Sequence, residues 1–152
     1  MENVTVANHS STESPCYCAV LKKAARRVSL IYDAQLRTAG IRTTQFSLLA
    51  ELSRDRPKPP TMNELAEYLV VDRSTLGHNL KPLLRRGLVG LQQDADDGRT
   101  RRVILTTKGA VKLSEGRKLW QAAQKEYERT IGKGMAVKLR NALQALTILD
   151  AQ

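Results

Sequence analysis

The chain has 152 residues, with 25 Lys and Arg against 15 Asp and Glu, and a formal net charge of +10. That length suits one domain, or one domain with an added helical layer. No apolar run approaches the roughly 18 residues of a membrane span, the polar opening stretch lacks the apolar core of a secretory signal, and two cysteines, Cys16 and Cys18, are too few for a disulfide framework. The expectation is a cytoplasmic protein, with no membrane contact and a polyanionic partner.

Residues 1–15 are rich in Ser, Thr and Asn and read as a mobile N-terminal tail. From Cys16, apolar residues recur at three- and four-residue steps (Leu21, Ala24, Ala25, Val28, Ile31, Tyr32, Leu36) and predict a helix that Gly40 closes. Thr43 or Thr44 is expected to cap a second helix with Phe46, Leu49, Ala50 and Leu52 on its apolar face. Pro57, Pro59 and Pro60 end it. Thr61-Met62-Asn63-Glu64 has the form of a capping box and opens a short helix through Leu65, Ala66 and Leu69. Val70-Val71 makes the turn, and Asp72 caps the next helix, which carries Leu76, Leu80, Leu83 and Leu84 and stops near Gly87. Pro82 lies inside it and is expected to kink the axis.

The period then changes. Residues 88–92 and 101–105 read as short strands around a polar loop, Asp94 to Thr100, and so as a β-hairpin. Thr106 or Thr107 starts a long helix past Trp120 toward Tyr127 and Ile131, and Gly132-Lys133-Gly134 breaks it. A last helix bears Met135, Leu139, Ala142, Leu143, Leu146 and Leu149 as an apolar stripe. The fold expected is mainly α with a small β-hairpin wing: a winged helix-turn-helix plus a helical layer.

This order suits double-stranded DNA. A recognition helix presents small and hydrogen-bonding side chains to base edges near its N-terminus. Here these are Arg73, Ser74, Thr75, His78 and Asn79, with Thr61 at the start of the preceding helix. Arginine pairs with guanine and asparagine with adenine. Lys81, Arg85 and Arg86 would neutralise phosphates. At the hairpin, Arg99 suits a narrow minor groove, with Arg101 beside it, and Asp97 is expected to brace Arg99. A charged hairpin alone reads equally well as solvated surface. It is the preceding helix-turn-helix that turns the reading toward DNA.

At these residues the sequence resembles the MarR (multiple-antibiotic-resistance regulator) family. The matching segments are Glu64-Leu65-Ala66, Asp72 to Leu76, Arg85 to Val89, and above all Asp94 to Gly109, which resembles the family's Asp-x-Arg wing running into a Leu-Thr-x-x-Gly helix start. Leu21 to Arg27, Tyr32-Asp33, Leu36 and Gln45-Phe46 look like its first two helices. Gly98 departs from the pattern, since many members carry arginine there.

The resemblance implies a homodimeric transcription regulator, a repressor responsive to ligand, on a palindromic operator. Residues 16–42 and 106–152 would form the helical dimerisation region, and residues 43–105 the winged helix-turn-helix DNA-binding lobe. The stripe on the last helix independently demands a cover. The family's usual effector, a small aromatic or phenolic anion, would be lined here by Arg26, Tyr32, Phe46, Trp120 and Tyr127. Trp120 and Tyr127, one heptad apart, read more as a core stripe than as a ligand box. Branches of the family sense peroxide through a cysteine of the first helix, which makes Cys16 and Cys18 redox candidates against a plain packing role.

No cofactor or metal is expected, since His9 and His78 lack zinc-ligand spacing with the cysteines. A peroxidase using Cys16 or Cys18 lacks a histidine placed by sequence to activate either thiol, so the chain reads as no enzyme. A non-specific architectural protein is the remaining alternative.

Overall fold

The computed structural model describes residues 15–148, so almost all of the expected tail, and Leu149 of the apolar stripe, lie outside the described residues. Six helices and one hairpin follow in the order α1 (Tyr17–Leu36), a 3-10 turn (Arg37–Ala39), α2 (Thr43–Leu52), α3 (Met62–Leu69), α4 (Arg73–Arg85), β1 (Val89–Gln93), β2 (Arg101–Leu105), α5 (Thr107–Ile131) and α6 (Lys133–Thr147). The architecture is the winged helix expected from the sequence.

Local chemistry sets most boundaries. Gly40 takes the left-handed conformation at φ 66° and stops the 3-10 turn. At α3, the Glu64 N–H donates to the Thr61 hydroxyl at 3.2 Å, and the Thr61 N–H donates to the Glu64 carboxylate at 2.7 Å, a reciprocal capping box. Asp72 accepts the Thr75 N–H at 2.8 Å and caps α4. Thr106 accepts the Gly109 N–H at 3.0 Å and caps α5. The last turn of α4 runs through Pro82 to Arg85, and Gly87 follows at φ 67°.

One cap differs from expectation. Neither Thr43 nor Thr44 caps α2; that position is Arg42, and Thr43 is the first helical residue. The reason lies in α1. Asp33 accepts both the Thr43 N–H, at 2.7 Å, and its hydroxyl, at 2.6 Å, so Thr43 ties α2 to α1. The Gln45 side chain accepts the Arg42 N–H at 3.1 Å in its place.

The hairpin is antiparallel, with Val89 opposite Leu105 and Gln93 opposite Arg101. Val103 also donates its N–H to the Pro60 carbonyl at 2.8 Å, so the proline segment runs along β2. One core joins these elements: Leu36 at the end of α1, Leu48 and Leu49 of α2, Leu65 of α3, Leu76 and Leu83 of α4, Leu88 and Val103 at the hairpin, and Leu113 of α5. Each such side chain contributes on the order of 1.5–3 kcal/mol on burial. Two glycines of α5 permit this closeness. A Cβ on Gly109 would stand 1.9 Å from the Leu88 carbonyl oxygen, and one on Gly116 2.9 Å from the Phe46 ring.

The outer layer is different. On α6 only Ala136 is buried, and on α1 only Leu36. Tyr17, Val20, Leu21 and Leu30 of α1 and Met135, Leu139 and Leu146 of α6 stay exposed. Among the described residues no helix is long and apolar enough to cross a membrane.

Candidate nucleic-acid interface

A groove of about 720 Å³ runs between α4 and the hairpin. Thr61 and Asn63 at the start of α3, Arg73, Gly77 and Lys81 on α4, and Arg99 and Arg101 on the hairpin line it. Five of the expected DNA-contacting residues, Thr61, Arg73, Lys81, Arg99 and Arg101, thus meet around one cleft. Its charged lining side chains are all cationic. Arg73 is steered by a 3.2 Å hydrogen bond to the Asn63 side-chain Oδ1, which fixes α4 against α3 at the groove mouth. Asn63 was not singled out in the sequence; its position two residues past the cap Thr61 was the available signal.

The face of α4 follows from its burial. Leu76, Leu80 and Leu83 point inward. At 100° per residue the opposite side carries Ser74, His78, Lys81 and Arg85, and all four are exposed. Thr75 is exposed, but its hydroxyl donates to Asp72 at 2.6 Å. Asn79 is half-buried on the flank away from the wing groove, a less open position than the sequence suggested. Arg86 departs further. Instead of facing outward with Lys81 and Arg85, its guanidinium donates to the Gly40 carbonyl at 2.8 Å. As the residue after the last turn of α4, it lies beside the α1–α2 connection.

The wing's acids have defined tasks. Asp97 does not brace the Arg99 guanidinium. It accepts the Arg99 backbone N–H at 3.0 Å and the Thr100 hydroxyl at 2.7 Å, so it shapes the turn and leaves the Arg99 side chain exposed. The Thr100 hydroxyl, then the Arg99 N–H, hold its carboxyl below the ordinary range. The side-chain brace is Asp94, 8% exposed, which pairs with the Arg102 guanidinium and accepts the Asp96 and Asp97 N–H groups at 2.8 and 3.1 Å. The Arg102 hydrogen bond, then the Asp96 N–H, lower its carboxyl to about 2. Arg102 also donates to the Pro59 carbonyl at 2.6 Å and lies 3.5 Å from Glu64. The wing root is thereby fastened to the start of α3, which sets the width of the groove.

A second crevice, of about 590 Å³, opens between α1, α2 and α5. It gathers Tyr32, Phe46 and Trp120 of the expected effector residues, with the Phe46 and Trp120 rings stacked at 6.3 Å between centroids. Arg26 does not line it and is exposed on α1. Tyr127 stands outside the lining, close enough to Tyr32 that, after burial, its charge raises the Tyr32 hydroxyl's pKa. The Tyr32 hydroxyl donates to Gln124 at 2.8 Å, joining α1 to α5. The cations of this crevice are Arg54 and Arg117, which the sequence did not single out. Arg54 lies beyond the apolar period of α2, and Arg117 reads as solvated surface. Cys16 and Cys18 are both exposed at the start of α1.

The MarR family profile matches residues 39–100. The chain is similar to the M. tuberculosis transcriptional regulator MosR in complex with DNA, at 37% identity over 86% of this chain and 96% of that one, with a TM-score of 0.72. A separate structure of MosR gives 33% identity over 90% and 98%, with a TM-score of 0.72. CouR from Rhodococcus jostii RHA1 bound to p-coumaroyl-CoA shares the fold, at 21% identity over 88% and 92% and a TM-score of 0.70. No curated protein matches the chain.

Proposed function

The chain belongs to the MarR family of DNA-binding transcription regulators, and from that premise we propose that it works as a homodimeric, ligand-responsive repressor on a palindromic operator. The observation that carries this reading is the cationic groove between α4 and the hairpin. In it, the exposed face of α4, with Arg73, Ser74 and His78, enters the major groove. Arg99 enters the adjacent minor groove. Lys81, Arg85 and Arg101 neutralise phosphates, which gives affinity without sequence information. Arg86, already engaged with Gly40, has no part in this contact.

Tyr17, Val20 and Leu21 on α1 and the exposed stripe of α6 support the dimer, because a second copy would cover them. Residues 16–42 and 106–152 then form the dimerisation region, and 43–105 the DNA-binding lobe. Two-fold symmetry would set the recognition helices about one DNA turn apart.

The effector site is the aromatic crevice. An aromatic anion would lie against Phe46 and Trp120, with Arg54 or Arg117 at its charged end. The family relative CouR binds a p-coumaroyl thioester, and the crevice suits a ring of that size. For the effector to release DNA, it must bind the two dimer conformations with different affinity. Oxidation is the second reading of the trigger. It is favoured by the exposure of Cys16 and Cys18 at the first turn of the layer that would dimerise.

Gel-shift titration with the DNA upstream of the protein's own gene tests the proposal. A salt-sensitive, sequence-specific shift is expected, weakened by Arg99→Ala with loss of preference for A·T-rich flanks. Equal affinity for random duplexes would instead make the protein architectural. Release by aromatic carboxylates or phenols, compared with release by peroxide in native and Cys16→Ser forms, separates the two triggers.

A further inference from the structure

We propose that a groove at the junction of α1, α2 and α4, bordered by Arg37, Arg42 and Arg86, binds a small organic phosphate. It measures about 610 Å³ and shares no lining residue with either site described above.

Charge is the first argument. Three guanidiniums face this space against one carboxylate, Asp33. That carboxylate is already engaged by the Thr43 N–H and hydroxyl. Among the described residues none of the three arginines forms an ion pair. Gathering like charges in one groove is unfavourable unless an anion offsets them.

Geometry is the second. Arg86 commits one N–H to the Gly40 carbonyl, and the rest of its fork stays available. Guanidinium forks match phosphate oxygens in pairs. The groove also includes Arg42 and Gln45, the cap and first turn of α2, so the positive end of that helix dipole adds to the field. The opposite wall is apolar, with Leu30 exposed on α1 and Ile41 buried beneath. An anion with an apolar body fits both walls better than inorganic phosphate does.

The groove also touches the recognition helix. Arg86 is the cap at the C-terminal end of α4, and its bond to Gly40 fastens α4 to the end of α1. A phosphate that draws the Arg86 guanidinium away from Gly40 loosens that fastening. A ligand here therefore acts on α4 from the end away from its N-terminal base-reading turn.

The site does not depend on the operator reading, and its calorimetric test needs no DNA. Calorimetric titration of the full chain with butyl phosphate, and with butanol as the uncharged control, should give saturable binding of the phosphate alone. Because Arg37 and Arg42 are exposed, the pair Arg37→Gln and Arg42→Gln should keep the native melting midpoint while weakening binding about tenfold or more, as expected for lost charge-assisted hydrogen bonds. Arg117→Ala, in the aromatic crevice, should leave the affinity unchanged.

Absence of saturable heat, equal binding of butanol, or unchanged affinity in the double variant would each overturn the proposal. So would sensitivity to Arg117→Ala. A further arm separates small phosphates from the DNA backbone. If the double variant lowers the slope of log affinity against log salt for operator DNA by about two, DNA phosphates occupy these arginines and the small-molecule assignment fails.

Discussion

In the lobe built by α2 to α4 and the hairpin, Leu65, Leu76, Leu83 and Val103 are fully buried within a single chain, whereas Met135, Leu139 and Leu146 of α6 are 59%, 38% and 51% exposed. Both regions carry the same amphipathic spacing. What separates them is the neighbour: α4 packs against α2, α3 and β1, while α6 packs mainly against α5. An apolar period announces that a helix has a face to bury, and says nothing about what covers it.

This contrast can be broken most strongly in the outer layer. Replacing Leu139 and Leu146 together with Glu should cost association about 3–6 kcal/mol, from two apolar side chains at roughly 1.5–3 kcal/mol each. Sedimentation equilibrium should then report monomer, while the lobe's melting stays near native. An unchanged mass would show that this face is not the interface. Where α5 meets the lobe, Gly109→Ala should cost about 1–3 kcal/mol, because the added methyl meets the Leu88 carbonyl at the closest approach of α5 to the hairpin. Urea unfolding would measure it, and a neutral result would mean that α5 shifts freely.

At the seam between the regions, Thr106→Ala removes the cap of α5 and the hydroxyl's 2.7 Å bond to the Gly87 carbonyl. A loss of about 1 kcal/mol is expected. The last prediction, read through acid titration, belongs to the wing root. Asp94 has its carboxyl depressed from 3.8 to about 2 by Arg102 and the Asp96 N–H. Its contribution is therefore complete above the unfolded value and disappears as pH falls through the folded one. The melting midpoint should drop between about pH 4 and pH 2, and Asp94→Asn should flatten that dependence. An identical acid limb in the variant would relieve Asp94 of this role.

The readings that hold are the ones that depend on near neighbours. Thr61 with Glu64, and Asp72 with Thr75, are contacts three residues apart, so residue type and spacing suffice to find them. The differences arise where a partner comes from far along the chain. Thr43 looks like a cap until Asp33 of α1 takes it. Asp97 is nearest Arg99 in sequence, but the hairpin register carries Asp94 to Arg102. Arg86 continues the basic pattern of Lys81 and Arg85, yet Gly40 waits beside it, 46 residues earlier. In the aromatic crevice, the family resemblance pointed to Tyr32, Phe46 and Trp120, and the cations Arg54 and Arg117 entered only through the packing of α2 on α5.

By itself, then, the amino-acid sequence determined the helix-turn-helix and wing, their caps, the basic groups near the recognition helix, and the need of the last helix for a cover. These rest on bonds and periods spanning three or four residues, or on the two-residue alternation of a strand. Only the tertiary structure decided which arginine faces the cleft and which bonds a carbonyl, which carboxylate holds the wing, and where Arg37 and Arg42 gather beside Arg86. Those outcomes depend on which distant backbone and side-chain groups packing brings within hydrogen-bonding reach.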